Sequence, residues 1–62
     1  MNNLTFRLKR NFTNVAGQRL YINDIVNIKD IFVNETKTIM KCTIEKDGIE
    51  IIVNMEDLLK NK

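Results

Sequence analysis

Lys37 to Val53 reads KTIMKCTIEKDGIEIIV, and this stretch decides the fold. Two runs rich in β-branched residues flank Asp47–Gly48. A type I′ turn, one of the two tight connections between antiparallel strands, needs positive φ at both positions, which Asp tolerates and Gly adopts without steric cost. The spacing therefore predicts a β-hairpin with a type I′ turn. In the first run Thr38, Met40, Cys42 and Ile44 share one face, opposite Lys37, Lys41, Thr43 and Glu45, with Ile39 among the latter. In the second, Ile49, Ile51 and Val53 face one way and Glu50 and Ile52 the other. Both follow the period of two expected of half-buried strands.

Upstream, Asn3 to Arg10 alternates, with Leu4, Phe6 and Leu8 on one side and Thr5, Arg7 and Lys9 on the other. This predicts a strand whose wet face is basic. Asn11 to Gln18 is irregular and predicts a loop, with Phe12 and Val15 able to point inward and Gly17 marking a turn. From Arg19 to Val33 the apolar residues Leu20, Ile22, Val26, Ile28 and Phe32 share even parity, whereas Tyr21, Ile25, Ile31 and Val33 do not. Asn23–Asp24 interrupts this run, as a turn or bulge would where a long strand bends. Asn34–Glu35–Thr36 makes a polar connection to the next strand. Downstream, Asn54 suits an N-cap, Glu56 and Asp57 suit a first helical turn, and Met55, Leu58 and Leu59 are spaced to share a face. A short helix or 3₁₀ turn is expected there, with Lys60 and Lys62 at its favourable end.

Sixty-two residues make a single domain over residues 1–62, short enough to bury only about 60% of the surface its unfolded chain exposes. Hydrophobic residues at 44% and charged residues at 29% argue for a folded chain. The longest unbroken apolar runs, Ile31 to Val33 and Ile51 to Val53, are far short of the roughly 20 residues that span a bilayer. The basic start lacks the apolar stretch of a signal peptide, and the lone Cys42 cannot form an internal disulfide, so a cytoplasmic, membrane-free protein is expected. Nine Asn, nine Ile and seven Lys are a bias toward AT-rich codons and point to a low-GC bacterium, its phage or a mobile element. The net charge is +2, unevenly spread. Residues 1–23 hold Arg7, Lys9, Arg10 and Arg19 and no acid, while residues 24–62 hold all eight acids against six lysines.

No reaction is encoded in this composition. Without histidine, the usual general base and the commonest metal ligand are missing. Cys42 lies on the apolar parity and reads as a buried structural thiol. Glu56 and Asp57 would diverge by about 100° on a helix and so would not converge on one atom. Gly17 and Gly48 are too far apart to form a phosphate-cradling loop. The chain is expected to be no enzyme and to take no cofactor, metal or small-molecule substrate.

From Leu20 to Leu59, the succession LYINDIVNIKDIF, strand, Asp–Gly turn, strand and VNMEDLL resembles an SH3-like small barrel. Asn23–Asp24 falls where such barrels have a diverging turn, and Asn54 to Leu58 where they have a 3₁₀ turn. The resemblance implies a mostly β fold: a four- to five-stranded antiparallel barrel or curved sheet with a short C-terminal helix or 3₁₀ turn. It does not imply the polyproline site of signalling SH3 domains, since Pro and Trp are absent and Tyr21 is the only tyrosine. A four-strand meander with a terminal helix, similar in order to the PC4-like single-strand-binding fold, is the alternative.

Two surfaces are left to act. Arg7, Lys9, Arg10 and Arg19, with Lys41 and the aromatics Phe12 and Tyr21, could neutralise phosphates and stack on bases, although cations on an edge strand also serve simply to prevent aggregation. Ile39 and Ile52, with some of Tyr21, Ile25, Ile31 and Val33, are surplus to one core face. Barrel closure, a homodimer or a protein partner would cover them. The expected function is a small regulator or inhibitor that binds a protein partner or a second copy, the alternative being a direct nucleic-acid binder.

Overall fold

The computed structural model describes residues 4–60. Its elements are β1 (Thr5–Arg7), β2 (Phe12–Thr13), β3 (Arg19–Leu20), β4 (Ile25–Val33), β5 (Ile39–Lys46), β6 (Ile49–Asn54) and α1 (Met55–Leu59). Four strands form an antiparallel sheet in the order β1-β4-β5-β6, and β2 and β3 form a separate two-stranded ribbon. The fold is mostly β with a short C-terminal helix, and the two sheets do not close into a barrel. Among the described residues no helix is long and apolar enough to cross a membrane.

The hairpin forms as its sequence dictates. Asp47 and Gly48 have φ of 53° and 85°, the positive pair that a type I′ turn requires, and Lys46 pairs with Ile49 across it. Gly48 N–H also donates to Glu45 Oε2 at 3.0 Å. This bond, with a second from Asn27 Nδ2 at 3.0 Å, holds the Glu45 carboxyl below its ordinary range.

Register puts Phe6, Val26, Ile28, Ile44, Cys42, Ile51 and Val53 on one face of the sheet. Leu8, Leu20 and Leu58 complete the buried core, and Phe12, Ile49 and Met55 pack against it. Cys42 is fully buried, and burial pushes its thiol up. The mixed parity of residues 25–33 has a definite cause. β4 pairs Ile28 with Ile44 but Ile31 with Cys42, so one extra residue is inserted at Lys29–Asp30. Such a bulge reverses which parity faces inward, and Ile31 thereby returns to the core side.

The first strand is shorter than its alternation predicts. β1 ends at Arg7, and the backbone then continues through Leu8, whose amide donates to the Asp24 carbonyl at 2.8 Å. Leu8 is buried and Phe6 half-buried, but Leu4 is exposed, and Asn3 lies outside the described residues. The break at Asn23–Asp24 belongs to a turn centred on Ile22–Asn23, closed by Asp24 N–H donating to the Tyr21 carbonyl at 3.0 Å, with Asn23 at φ 76°. It leaves Ile22 exposed despite its parity.

Several other expectations are corrected. The segment expected as a loop carries β2, and Val15 points into solvent, because Val15–Gly17 is the tip of the β2–β3 connection. That tip and the β4–β5 tip share one design. Asn14 Oδ1 accepts from Ala16 N and Gln18 N, while Asn34 Oδ1 accepts from Thr36 N and Thr38 N. The fourth loop residue has positive φ in both, 84° at Gly17 and 67° at Lys37.

Thr43, assigned to the wet face with the lysines, is only 4% exposed. β5 is flanked on both sides, and Lys29 of β4 reaches Glu50 of β6 across that face, with Nζ 2.9 Å from Oε2. At the C-terminus, Asn54 stands at the N-cap position without a side-chain cap bond. Leu58 is buried, yet Leu59 is exposed. Lys60 is the C-cap residue rather than part of the last turn, and Lys62 lies outside the described residues. A cation reaches the helix end from the bend after β1, Lys9 Nζ standing 3.5 Å from the Leu59 carbonyl.

Candidate functional site

The cationic and aromatic residues singled out from the sequence separate into three places. Arg7 and Lys41 lie on the same outward face of the sheet, but Arg7 pairs with Ile25 and Lys41 with Phe32. Seven residues of β4 at about 3.3 Å each put them roughly 20 Å apart. Lys9 is drawn toward α1 and the Phe6 ring, 6.0 Å from its centroid. Tyr21 follows β3 at the Asn23 turn, where its amide donates to Asp24 Oδ2 at 2.9 Å.

Arg10, Phe12, Arg19 and Lys41, by contrast, come together. Arg10 Cζ sits 5.9 Å from the Phe12 ring centroid, and Arg19 Nε donates to Thr13 Oγ1 at 3.3 Å. Phe12, Thr13 and Lys41 line one concavity of about 220 Å³, together with Ile51, Ile52, Val53, Asn54 and Asp57. A second, of about 290 Å³, is lined by Thr13, Asn14, Val15, Glu50, Ile51 and Ile52. Since Thr13, Ile51 and Ile52 border both, the two form one seam between β6 and β2, where the two sheets face each other without joining.

Strand register fixes what the walls of this seam present. In a two-residue hairpin the flanking residues exchange hydrogen bonds, and bonded pairs then alternate. Ile49, Ile51 and Val53 therefore bond to β5, and Glu50 and Ile52 turn their backbone groups toward the seam, as does the Asn54 N–H, while the Asn54 carbonyl accepts the first bond of α1. On β2, Asn14 N–H donates to the Gln18 carbonyl at 3.0 Å. That makes Phe12 and Asn14 the residues bonded to β3, and turns Thr13 outward. Among the described residues one hydrogen bond crosses the gap, from a side chain, Asn14 Nδ2, to the Glu50 carbonyl at 3.2 Å.

A second surface lies at the far end of β4 and β5. β1 covers β4 only as far as Ile28, whose amide donates to the Leu4 carbonyl at 2.8 Å, and β6 ends opposite Lys41. Past Lys41 the described chain is two-stranded, and Val33, Ile39 and Met40 there form, with Ile31 and Phe32 on the adjoining edge of β4, an arm whose five large apolar residues are each 42 to 56% exposed. Met40 was expected among the core residues. A second register shift, between Phe32 and Val33, removes β5 from strict alternation there.

Among the described residues no group of His, Cys, Asp and Glu side chains is placed to hold a metal ion. Glu56 is exposed, while Asp57 borders the seam. Compared with known proteins, the chain matches no family model, no curated protein and no solved structure. The seam was not legible in the sequence, because it depends on which strands stay unpaired. Its cations were.

Proposed function

We propose that this chain is a non-enzymatic binding module whose partner is another protein, engaged through the β4–β5 arm. The arm carries the reading. The arm's two-stranded tip would be marginally stable alone in water, and five large apolar side chains clustered at this end of β4 and β5, exposed on both faces, are the kind of surface that a protein interface covers. In such a module, by its size and Asn/Ile/Lys bias a small regulator or inhibitor of a low-GC bacterium, phage or mobile element, the β5–β6 hairpin and the Asn23–Asp24 turn fit an SH3-like origin. A second copy of the chain is one form the partner can take.

The test is light scattering across a concentration series, paired with affinity capture at low and high salt, using wild type and Phe32→Ser/Met40→Ser. The expected result is a defined complex, either a dimer or a stoichiometric heteromer, that persists in high salt and is lost in the variant. An apolar interface responds little to ionic strength. A strict monomer whose captured proteins are the same for wild type and variant would remove the arm from consideration.

Arg10, Arg19 and Lys41 around Phe12 favour a second reading, direct nucleic-acid binding. It requires affinity that falls steeply with salt, by about 0.7 to 0.9 logarithmic units per phosphate contact. Fluorescence anisotropy with labelled single- and double-stranded DNA and RNA measures this, and Arg10→Ala/Arg19→Ala/Lys41→Ala should lower the slope.

A further inference from the structure

We infer that the seam between β6 and β2 is a slot for an extended, acidic segment of a partner protein, which adds as one β-strand and joins the two sheets. This rests on the reading of the chain as a protein-binding module, though not on the arm.

An added strand needs alternating N–H and C=O groups on the edges it meets. Both walls supply them: Glu50 and Ile52, with the Asn54 N–H, direct theirs away from β5, the Asn54 carbonyl being taken by the first turn of α1, and Thr13 directs its own away from β3. A side chain bridges the gap at one end, through Asn14 Nδ2 and the Glu50 carbonyl, and among the described residues no backbone hydrogen bond crosses it. The seam therefore has room between its edges, with volumes of about 290 and 220 Å³ along its length. The Glu50–Asn54 edge is five residues long, about 16 Å at strand rise, so the occupant is a strand of about five residues.

The lining sets the side-chain chemistry. Phe12, Ile51 and Val53 on one side and Ile52 on the other call for β-branched apolar residues. Charge sets the rest. Lys41 borders the slot, Arg10 stacks over its Phe12 wall, and Arg19 is bonded to Thr13. Against these three cations stands Asp57, because Glu50 is already paired with Lys29. The excess is positive, and an acidic strand complements it.

The probe is acetyl-Val-Asp-Val-Asp-Val-Asp-amide, titrated into the ¹⁵N-labelled full chain. Three controls accompany it: the same peptide N-methylated at alternate residues, its Lys-for-Asp counterpart, and hexa-aspartate. The largest shifts are expected at Thr13 and at Glu50 to Asn54, with slowed amide exchange at Thr13 and Ile52. N-methylation and the lysine counterpart should each weaken binding at least tenfold, and hexa-aspartate should bind no better than the lysine peptide.

Ile52→Pro deletes an N–H that points into the slot and takes no part in pairing with β5, so it should abolish binding. Lys41→Glu, a surface change, should reduce it tenfold. The arm variant Phe32→Ser/Met40→Ser should bind the probe as wild type does, so failure of the arm and failure of the slot are read separately. The proposal is overturned if the probe does not bind at millimolar concentration, if the N-methylated or hexa-aspartate peptide binds equally well, if the shifts map to the arm or β1, or if a DNA or RNA hexamer occupies the seam instead.

Discussion

Replacing Leu58 by Ala tests what fixes α1 to the sheet, and its neighbour supplies the control. A five-residue helix is far too short to persist alone in water, and Asn54 contributes no side-chain cap bond. Docking must supply the stability, and of the two apolar residues of α1 after its half-buried Met55 only Leu58 is buried, at 1% exposure. Burying a leucine side chain contributes about 1.5–3 kcal/mol, and truncation adds a cavity term that raises observed losses toward 5 kcal/mol where the site cannot collapse. Here the helix is terminal and can settle onto β5 and β6, so the expected loss is about 2–3 kcal/mol. A chain of this size holds roughly 3–9 kcal/mol in all. Leu58→Ala should therefore lower Tm by roughly 10–20 °C and move the urea midpoint in proportion. Leu59→Ala, at a residue 52% exposed, should stay within about 0.5 kcal/mol of wild type. Thermal and urea unfolding followed by circular dichroism reads both. Equal losses at the two leucines, or a Leu58→Ala protein as stable as wild type, would refute the account of how the helix is held.

Three further outcomes are expected. Lys37 sits at φ 67° where the matching loop has Gly17. Left-handed backbone costs an L-residue roughly 1–2 kcal/mol, offset in part by the greater unfolded-state freedom of Gly, so Lys37→Gly should gain about 0.5–1 kcal/mol in urea melts, and a loss would contradict the loop geometry. The Glu45 carboxyl is held low by the Gly48 amide and then by Asn27, so its contribution is present above the unfolded value of about 4.3 and is lost as pH falls through the lower folded value. Tm should decline on acidification, and less so in Glu45→Gln; parallel pH profiles for the two proteins would show that Glu45 plays no part. Cys42, fully buried with its thiol pushed up, should resist maleimide at neutral pH until urea unfolds the chain, and native-state labelling at the unfolded rate would place it elsewhere than in the core.

Much of the fold is legible because it is local. Asp47–Gly48 specifies its turn through the φ values two residues can adopt, and the alternation on either side places Cys42, Ile44, Ile51 and Val53 without reference to the rest of the chain. The cations Arg10, Arg19 and Lys41 could likewise be named in advance. Their convergence could not, since they come from three segments whose meeting depends on the β2–β3 ribbon lying against β6. Thr43 shows the same limit in reverse: its parity marks it as wet, but a strand flanked on both sides, with the Lys29–Glu50 pair crossing it, has little wet surface to offer.

By itself the sequence determined which short segments are extended, where the chain turns and which side chains seek the interior, because these follow from backbone sterics and from a hydrophobic pattern of period two. Only the tertiary structure decided the bulge at Lys29–Asp30, the arm beyond it and the seam between β6 and β2. Each of these is a matter of which edges find partners, and partner choice is a competition between distant segments that no local pattern records.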